Sequence, residues 1–199
     1  MRRWMRVLVV GVIMVFAVPA AVSAADTPDL VPGNPVLVAL GDSWAYGQGA
    51  SEPGTSGYVA RLAGELREGL DCSPAKSDMA ADGCKHLQVL SFARPARDGL
   101  PGVTAQAVAS EQVPMAVPIL AKRNGDANPR NDVEAVILHV GGNDVSGPIQ
   151  AACLGGFSPG CQHTWVAEMA TLEVEMDAVV AELRAAAGAD TPIVLGTYD

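Results

Sequence analysis

The stretch 36-VLVALGDSWAYGQGA-50 decides the fold. Val36 to Leu40 form a short valine-rich run, as expected of a strand buried on both faces. The run stops at Gly41-Asp42-Ser43, with Gly47 and Gly49 close behind. A second run, 133-VEAVILHV-140, stops at 141-GGND-144, and shorter ones occupy 87-LQVLSF-92 and Ile193–Gly196. Helical segments are expected between them. Tyr58, Val59, Leu62, Leu66 and Leu70 share one helical face within residues 57–70. Ala105–Lys122 has helical composition, with Pro114 and Pro118 expected to break or begin helices. Trp165, Met169, Leu172, Met176, Val179 and Leu183 define a long amphipathic helix, with Thr164 as its N-cap and Gly188 at its end. The 71–87 segment and the region between Asp144 and Thr164 read as cysteine-bearing loops.

Strands alternating with helices predict βαβ crossovers, and hence an α/β protein with a parallel sheet and helices on both faces. Ligand sites in such sheets lie at the carboxyl ends of the strands. GDS, the glycine-rich 93-ARPARDGLPGVTAQAV-108 and GGND all follow strands and fall at that edge. No internal repeat or second-domain linker interrupts the pattern.

The 199-residue chain has room for one such domain. Residues 1–25 are set apart from it: basic MRRWMR, the apolar run 7-VLVVGVIMVFAV-18, then Pro19 and small residues. That order is a secretory signal peptide, and the apolar run is shorter than the ~20 residues of a comfortable bilayer span. Arg6 falls where a twin-arginine signal wants an apolar residue, which favours the general secretory route. The expectation is a secreted protein with no stable membrane insertion once the leader is cleaved. Without Arg2, Arg3 and Arg6, 10 basic residues face 22 acidic ones, a net charge near −12. Such a surface repels nucleic acid. Cys72, Cys84, Cys153 and Cys161 read as disulfides in an exported chain, with the intervening residues favouring Cys72–Cys84 and Cys153–Cys161. A metal site is disfavoured, because there is no C-x₂-C and neither His86 nor His163 completes a ligand set.

Ser43 is the candidate nucleophile. A serine hydroxyl needs an adjacent base, and a serine between a strand and a helix can aim its own N–H at a developing oxyanion. The segment lacks the second glycine of G-x-S-x-G, so an α/β-hydrolase elbow is not indicated. Asn143 offers uncharged N–H donors suited to an oxyanion, and Gly141-Gly142 permits a tight backbone path. Either motif alone reads as a turn; the two together, about 100 residues apart, read as a site. Asp42 and Asp144 are assigned to fixing the loops through hydrogen bonds to backbone.

In that order, GDS and GGND resemble blocks I and III of the GDSL/SGNH hydrolase superfamily, over Val36 to the C-terminus. Trp44 stands where the family name has leucine. The resemblance implies a flavodoxin-like three-layer α/β/α fold and ester hydrolysis through a Ser-His-Asp type site without cofactor. It gives Ser43 the roles of nucleophile and first oxyanion donor, Gly102 (in 101-PGVTAQ-106) the second donor and Asn143 the third. Gly102 is preferred to Gly99 because a Gly-Val-Thr context surrounds it.

The family's Asp-x-x-His occurs nowhere in the chain. His86 reads as a loop residue, His139 as a core or half-buried residue of the third strand, and His163 as a loop residue reaching the site only by an unusual excursion. The sheet is therefore expected to lack its last strand and helix, with the catalytic Asp and His beyond residue 199, so that 26–199 is the N-terminal part of an SGNH domain, nearly inactive alone. The expected substrate is a small-molecule, lipid or polysaccharide ester. The alternatives are a secreted non-catalytic carbohydrate- or lipid-binding module of the same fold and, less well supported, a flavodoxin-like electron carrier. The carrier would need a phosphate loop rich in Ser and Thr, whereas 41-GDSWAYGQG-49 offers only Ser43.

Overall fold

The computed structural model describes residues 30–31, 33–69, 87–95, 102–128 and 132–196. The expected signal peptide, Cys72, Cys84, His86, Gly99 and Asp199 lie outside the described residues. Four strands form one all-parallel sheet: β1 (Val36–Gly41), β2 (Gln88–Ser91), β3 (Val133–His139) and β4 (Ile193–Leu195), in the order β2-β1-β3-β4. β1 and β3 are central, and register places Gly41 beside His139.

β-branched and leucine side chains alternate across the pleat, so each central strand supplies two hydrophobic surfaces. Leu37, Ala39, Ala135 and Ile137 face Val59 and Ala63 of α3 (Tyr58–Gly69), which follows the short α1 (Ser43–Tyr46) and α2 (Pro53–Ser56). Val36, Val38, Leu40, Val136 and Leu138 face the opposite way. They pack against the 105–124 helical segment and against Val179 and Leu183 of the long C-terminal helix. Val36 through Leu40 are fully buried, as the unbroken apolar run predicts.

The first of these opposing segments runs continuously through α4 (Ala105–Ala107), a π-helical turn (Val108–Gln112) and α5 (Val113–Asn124). Pro114 lies at the start of α5, directly after the π-helical turn. Pro118, expected to break the helix, lies inside it without doing so. Burial of Ala116, Ile119 and Leu120 outweighs the hydrogen bond that a proline forgoes.

Two further expectations are corrected between Asp144 and Thr164. The residues read as a cysteine loop form α6 (Gly142–Cys153), and α7 (Pro159–Ala187) begins at an N-cap on Ser158 rather than Thr164. Ser158 Oγ accepts from Cys161 N–H (3.1 Å), and Pro159 takes the position after the cap. α6 carries glycines and Pro148 and buries none of its residues, so hydrophobic periodicity could not reveal it. It packs against α7, and the predicted Cys153–Cys161 disulfide joins the two helices. His163 therefore sits on an exposed helix turn rather than in a loop.

Asn124 fastens the opposite edge of the sheet. Its Nδ2 donates to Ala187 O and Thr191 Oγ1 (both 2.7 Å), and its Oδ1 accepts from Val133 N–H (2.8 Å). One amide thus joins the ends of α5 and α7 to the start of β3. Among the described residues no helix is long and apolar enough to cross a membrane.

Candidate functional site

β1 and β3 end side by side, and the chemistry-bearing residues follow them. Gly41 has φ +133°, and a Cβ there would lie 2.0 Å from the His139 carbonyl oxygen. Glycine is required on both counts. Asp42, buried, then caps the short helix α1 (Ser43–Tyr46): its Oδ1 accepts from Trp44 N–H (2.9 Å). Ser43 is thereby the first residue of a helical turn and half-buried, while Trp44 and Tyr46 beside it are exposed.

The GGND segment opens α6. Gly141, at φ +120°, precedes it, and Leu172 of α7 lies over this glycine, 3.0 Å from where a Cβ would be. Asn143 in the first turn turns its side chain toward the segment after β2. Its Nδ2 donates to Val103 O (2.9 Å) and stands 3.5 Å from Asp42 Oδ2, the outer limit of a hydrogen bond. A Cβ on Gly102 would fall 2.2 Å from Asn143 Oδ1, so the Asn143 amide occupies the space that glycine leaves open. Asp144 accepts from Ala105 N–H with both oxygens (2.9 and 3.1 Å), tying the start of α4 to the end of β3. The two aspartates assigned to fixing loops make such bonds.

The three segments named from the sequence thus meet at one edge: Asn143 touches Gly102 and approaches Asp42, whose neighbour is Ser43. Asp42 is the common negative charge of the cluster. Burial raises the pKa of the Asp144 carboxyl against the hydrogen bond from Ala105, and Asp42 raises it further. Tyr58 is pushed up to about 12, mainly by burial and then by Asp42, and its Oη is buried with no hydrogen-bond partner among the described residues.

His139 belongs to this edge too. It is 5% exposed, with its ring 6.2 Å from that of Trp44 and 5.5 Å from that of Tyr58. Gly196, following β4, lies against the imidazole, since a Cβ there would be 2.7 Å from Nδ1. Burial lowers the pKa of His139, partly opposed by Asp42. Burial thus favours the neutral imidazole. His163 is exposed on α7. Among the described residues no group of three or more His, Cys, Asp or Glu could hold a metal ion.

One residue escaped the sequence reading. Gln112, 1% exposed, closes the π-helical turn and makes two hydrogen bonds to the backbone of Gly41. Its signal was present: Val108, Gln112, Ala116 and Leu120 recur every fourth residue as a buried row, and Gln112 is the one polar member. No family model matches the chain, and no curated protein matches it.

Proposed function

We propose that the chain carries the nucleophile of an exported serine ester hydrolase of the GDSL/SGNH kind, on a flavodoxin-like three-layer α/β/α fold. The observation that carries this reading is the seating of the Asn143 amide against Gly102 and beside Asp42. Gly102 and Asn143, two residues singled out by the resemblance, are in contact, and Asn143 approaches Asp42, the chain neighbour of Ser43. The sheet order, with the site beyond β1 and β3, suits a ligand at the carboxyl edge of the strands.

In this mechanism Ser43 Oγ attacks the ester carbonyl carbon and a histidine accepts its proton. Ser43 N–H, Gly102 N–H and the Asn143 side chain hold the tetrahedral oxyanion. Collapse breaks the bond to the alcohol, which takes the proton from the histidine. Water then hydrolyses the acyl-Ser43 ester through the same base. Asn143 gives one N–H to Val103 O, and its weaker approach to Asp42 is the one a substrate oxygen would replace. His139 is buried and His163 is exposed on α7. Neither of these two histidines is therefore given the role of base.

The deciding experiment compares full-length protein with Ser43→Ala on short- and long-chain nitrophenyl esters. Wild type should turn over and the variant should retain only the residual rate left by binding and oxyanion contacts, about 10³- to 10⁶-fold lower. Equal rates would remove Ser43 from the mechanism. A second reading has its own support: exposed Trp44 and Tyr46 flank Ser43 and could stack on sugar rings in a non-catalytic carbohydrate-binding module. Saccharide binding that survives Ser43→Ala and fails in Trp44→Ala, without hydrolysis by wild type, would favour that reading.

A further inference from the structure

β1 outruns its neighbour. Its pairing with β2 ends at Ala39 beside Ser91, whereas its pairing with β3 continues to Gly41. On the β2 side the strand pairing thus supplies no partner for the Gly41 N–H. The Gln112 side chain fills that place: Gly41 N–H donates to Gln112 Oε1 (2.7 Å), and Gln112 Nε2 donates to Gly41 O (2.9 Å). A carboxamide can do this because it holds an acceptor and a donor in one plane, as a peptide group does. Arg94 N–H reaches the same carbonyl at 3.4 Å, and the Arg94–Glu111 ion pair fastens the segment after β2 to the turn carrying Gln112.

We propose that Gln112 is a positioning residue for Ser43. Its amide stands in for the missing strand and fixes the direction in which the chain leaves the sheet through Asp42. This rests on Ser43 being the nucleophile. Gly41 is the residue most in need of such a hold, because glycine has the widest conformational freedom and only Asp42 separates it from Ser43. The hold is made from inside the core, by a residue whose side-chain hydrogen bonds among the described residues go to Gly41 and to neither Ser43 nor Asn143. The π-helical turn Val108–Gln112 sets both Val108 and Gln112 inward, and π turns concentrate at functional sites.

The test uses full-length protein, with Gln112→Met, Gln112→Asn and the core control Val108→Ala. Two quantities are read: ester hydrolysis, split into kcat and KM, and backbone hydrogen exchange at residues 41–43. Gln112→Met removes both hydrogen bonds, and Gln112→Asn keeps the amide but shortens its reach. Each should lower kcat about 100-fold with KM within about twofold, the signature of a misplaced reacting group. Exchange at 41–43 should accelerate in both. Val108→Ala opens a cavity in the same turn and should lose stability while keeping kcat. If Gln112→Met fails to fold, Gln112→Asn decides by the same criteria. Unchanged kcat with faster exchange at 41–43 would make the clamp merely structural and overturn the proposal. An equal kcat loss in Val108→Ala would overturn it as a general stability effect. Full hydrolysis by Ser43→Ala would remove the nucleophile and the proposal with it, whereas loss of activity there with normal kcat in the Gln112 variants would defeat the positioning role alone.

Discussion

β1 and β4 leave the same edge of one parallel sheet, and their sequences, VLVALG and IVL, are equally apolar. Their surroundings differ. All six residues of β1 are buried, and its last residue is held by β3 on one flank and Gln112 on the other. β4 is half-buried at Ile193, and Val194 and Leu195 are 43% and 50% exposed. Strands of parallel sheets are ordinarily covered on both faces; β1 meets that rule, whereas β4, at the sheet edge, is only partly covered among the described residues. The candidate nucleophile follows the covered strand. A catalytic group must be held closely, and only the sealed, hydrogen-bonded part of the edge provides that.

The sharpest way to break this contrast is Gly41→Ala. Its Cβ would overlap the His139 carbonyl at 2.0 Å on a backbone at φ +133°. A stability loss of about 3 kcal/mol or more is expected in urea unfolding. A loss under about 1 kcal/mol would show that the β1 edge is not rigid. Next comes Gly102→Ala, whose Cβ would displace the Asn143 amide. The expected result in full-length protein is about a 100-fold fall in kcat, comparable to losing one oxyanion donor, with a smaller change in stability. Normal kcat would detach Gly102 from the site.

A third, smaller effect follows from His139. Its folded pKa is lowered by burial, whereas in the unfolded chain it titrates near about 6.5. The unfolded state therefore takes up a proton first as pH falls. Stability should be highest above about pH 6.5, decline as pH drops through that value and level off below the folded pKa. Replacing the ring by His139→Phe should remove this decline. Asp144 works in a separate window: its raised pKa gives stability that is lost as pH rises above the usual carboxylate range. An unchanged acid-side decline in the His139 variant would exclude it as the source. The smallest effect belongs to β4, where Val194→Ser should cost less than about 0.5 kcal/mol because the side chain is half in solvent already. A loss of several times that would mean that the flank is covered in the folded protein.

The architecture was legible wherever one element carries its own pattern. Val36–Leu40 and Val133–His139 announce buried parallel strands because helices must cover both their faces. The stripe from Trp165 to Leu183 announces α7, although Trp165 and Met169 at its start are exposed and only its later members face the core. α6 was not legible, since Gly142, Gly147 and Pro148 read as turn residues and α6 is held by α7 and the Cys153–Cys161 bond. Nor was the start of α7, where Ser158 and Pro159 form the cap although Thr164 has the same residue chemistry. Within the site, Ser43 and Asn143 were named from turns that mean little singly, and the contact between Gly102 and Asn143 has no local signature at all.

The sequence by itself determined the alternation of strands and helices, the edge at which polar and glycine residues gather, and the residue types available for acyl chemistry. These follow from periodicity and from the rule that strand ends of a parallel sheet face a crevice. Only the tertiary structure decided which of those residues touch, that the His139 ring meets Trp44 and Tyr58, and that Gln112 takes the place of a strand at Gly41. Contacts across 40 to 100 residues depend on register and on the faces that helices present, and no short stretch of chain encodes either alone.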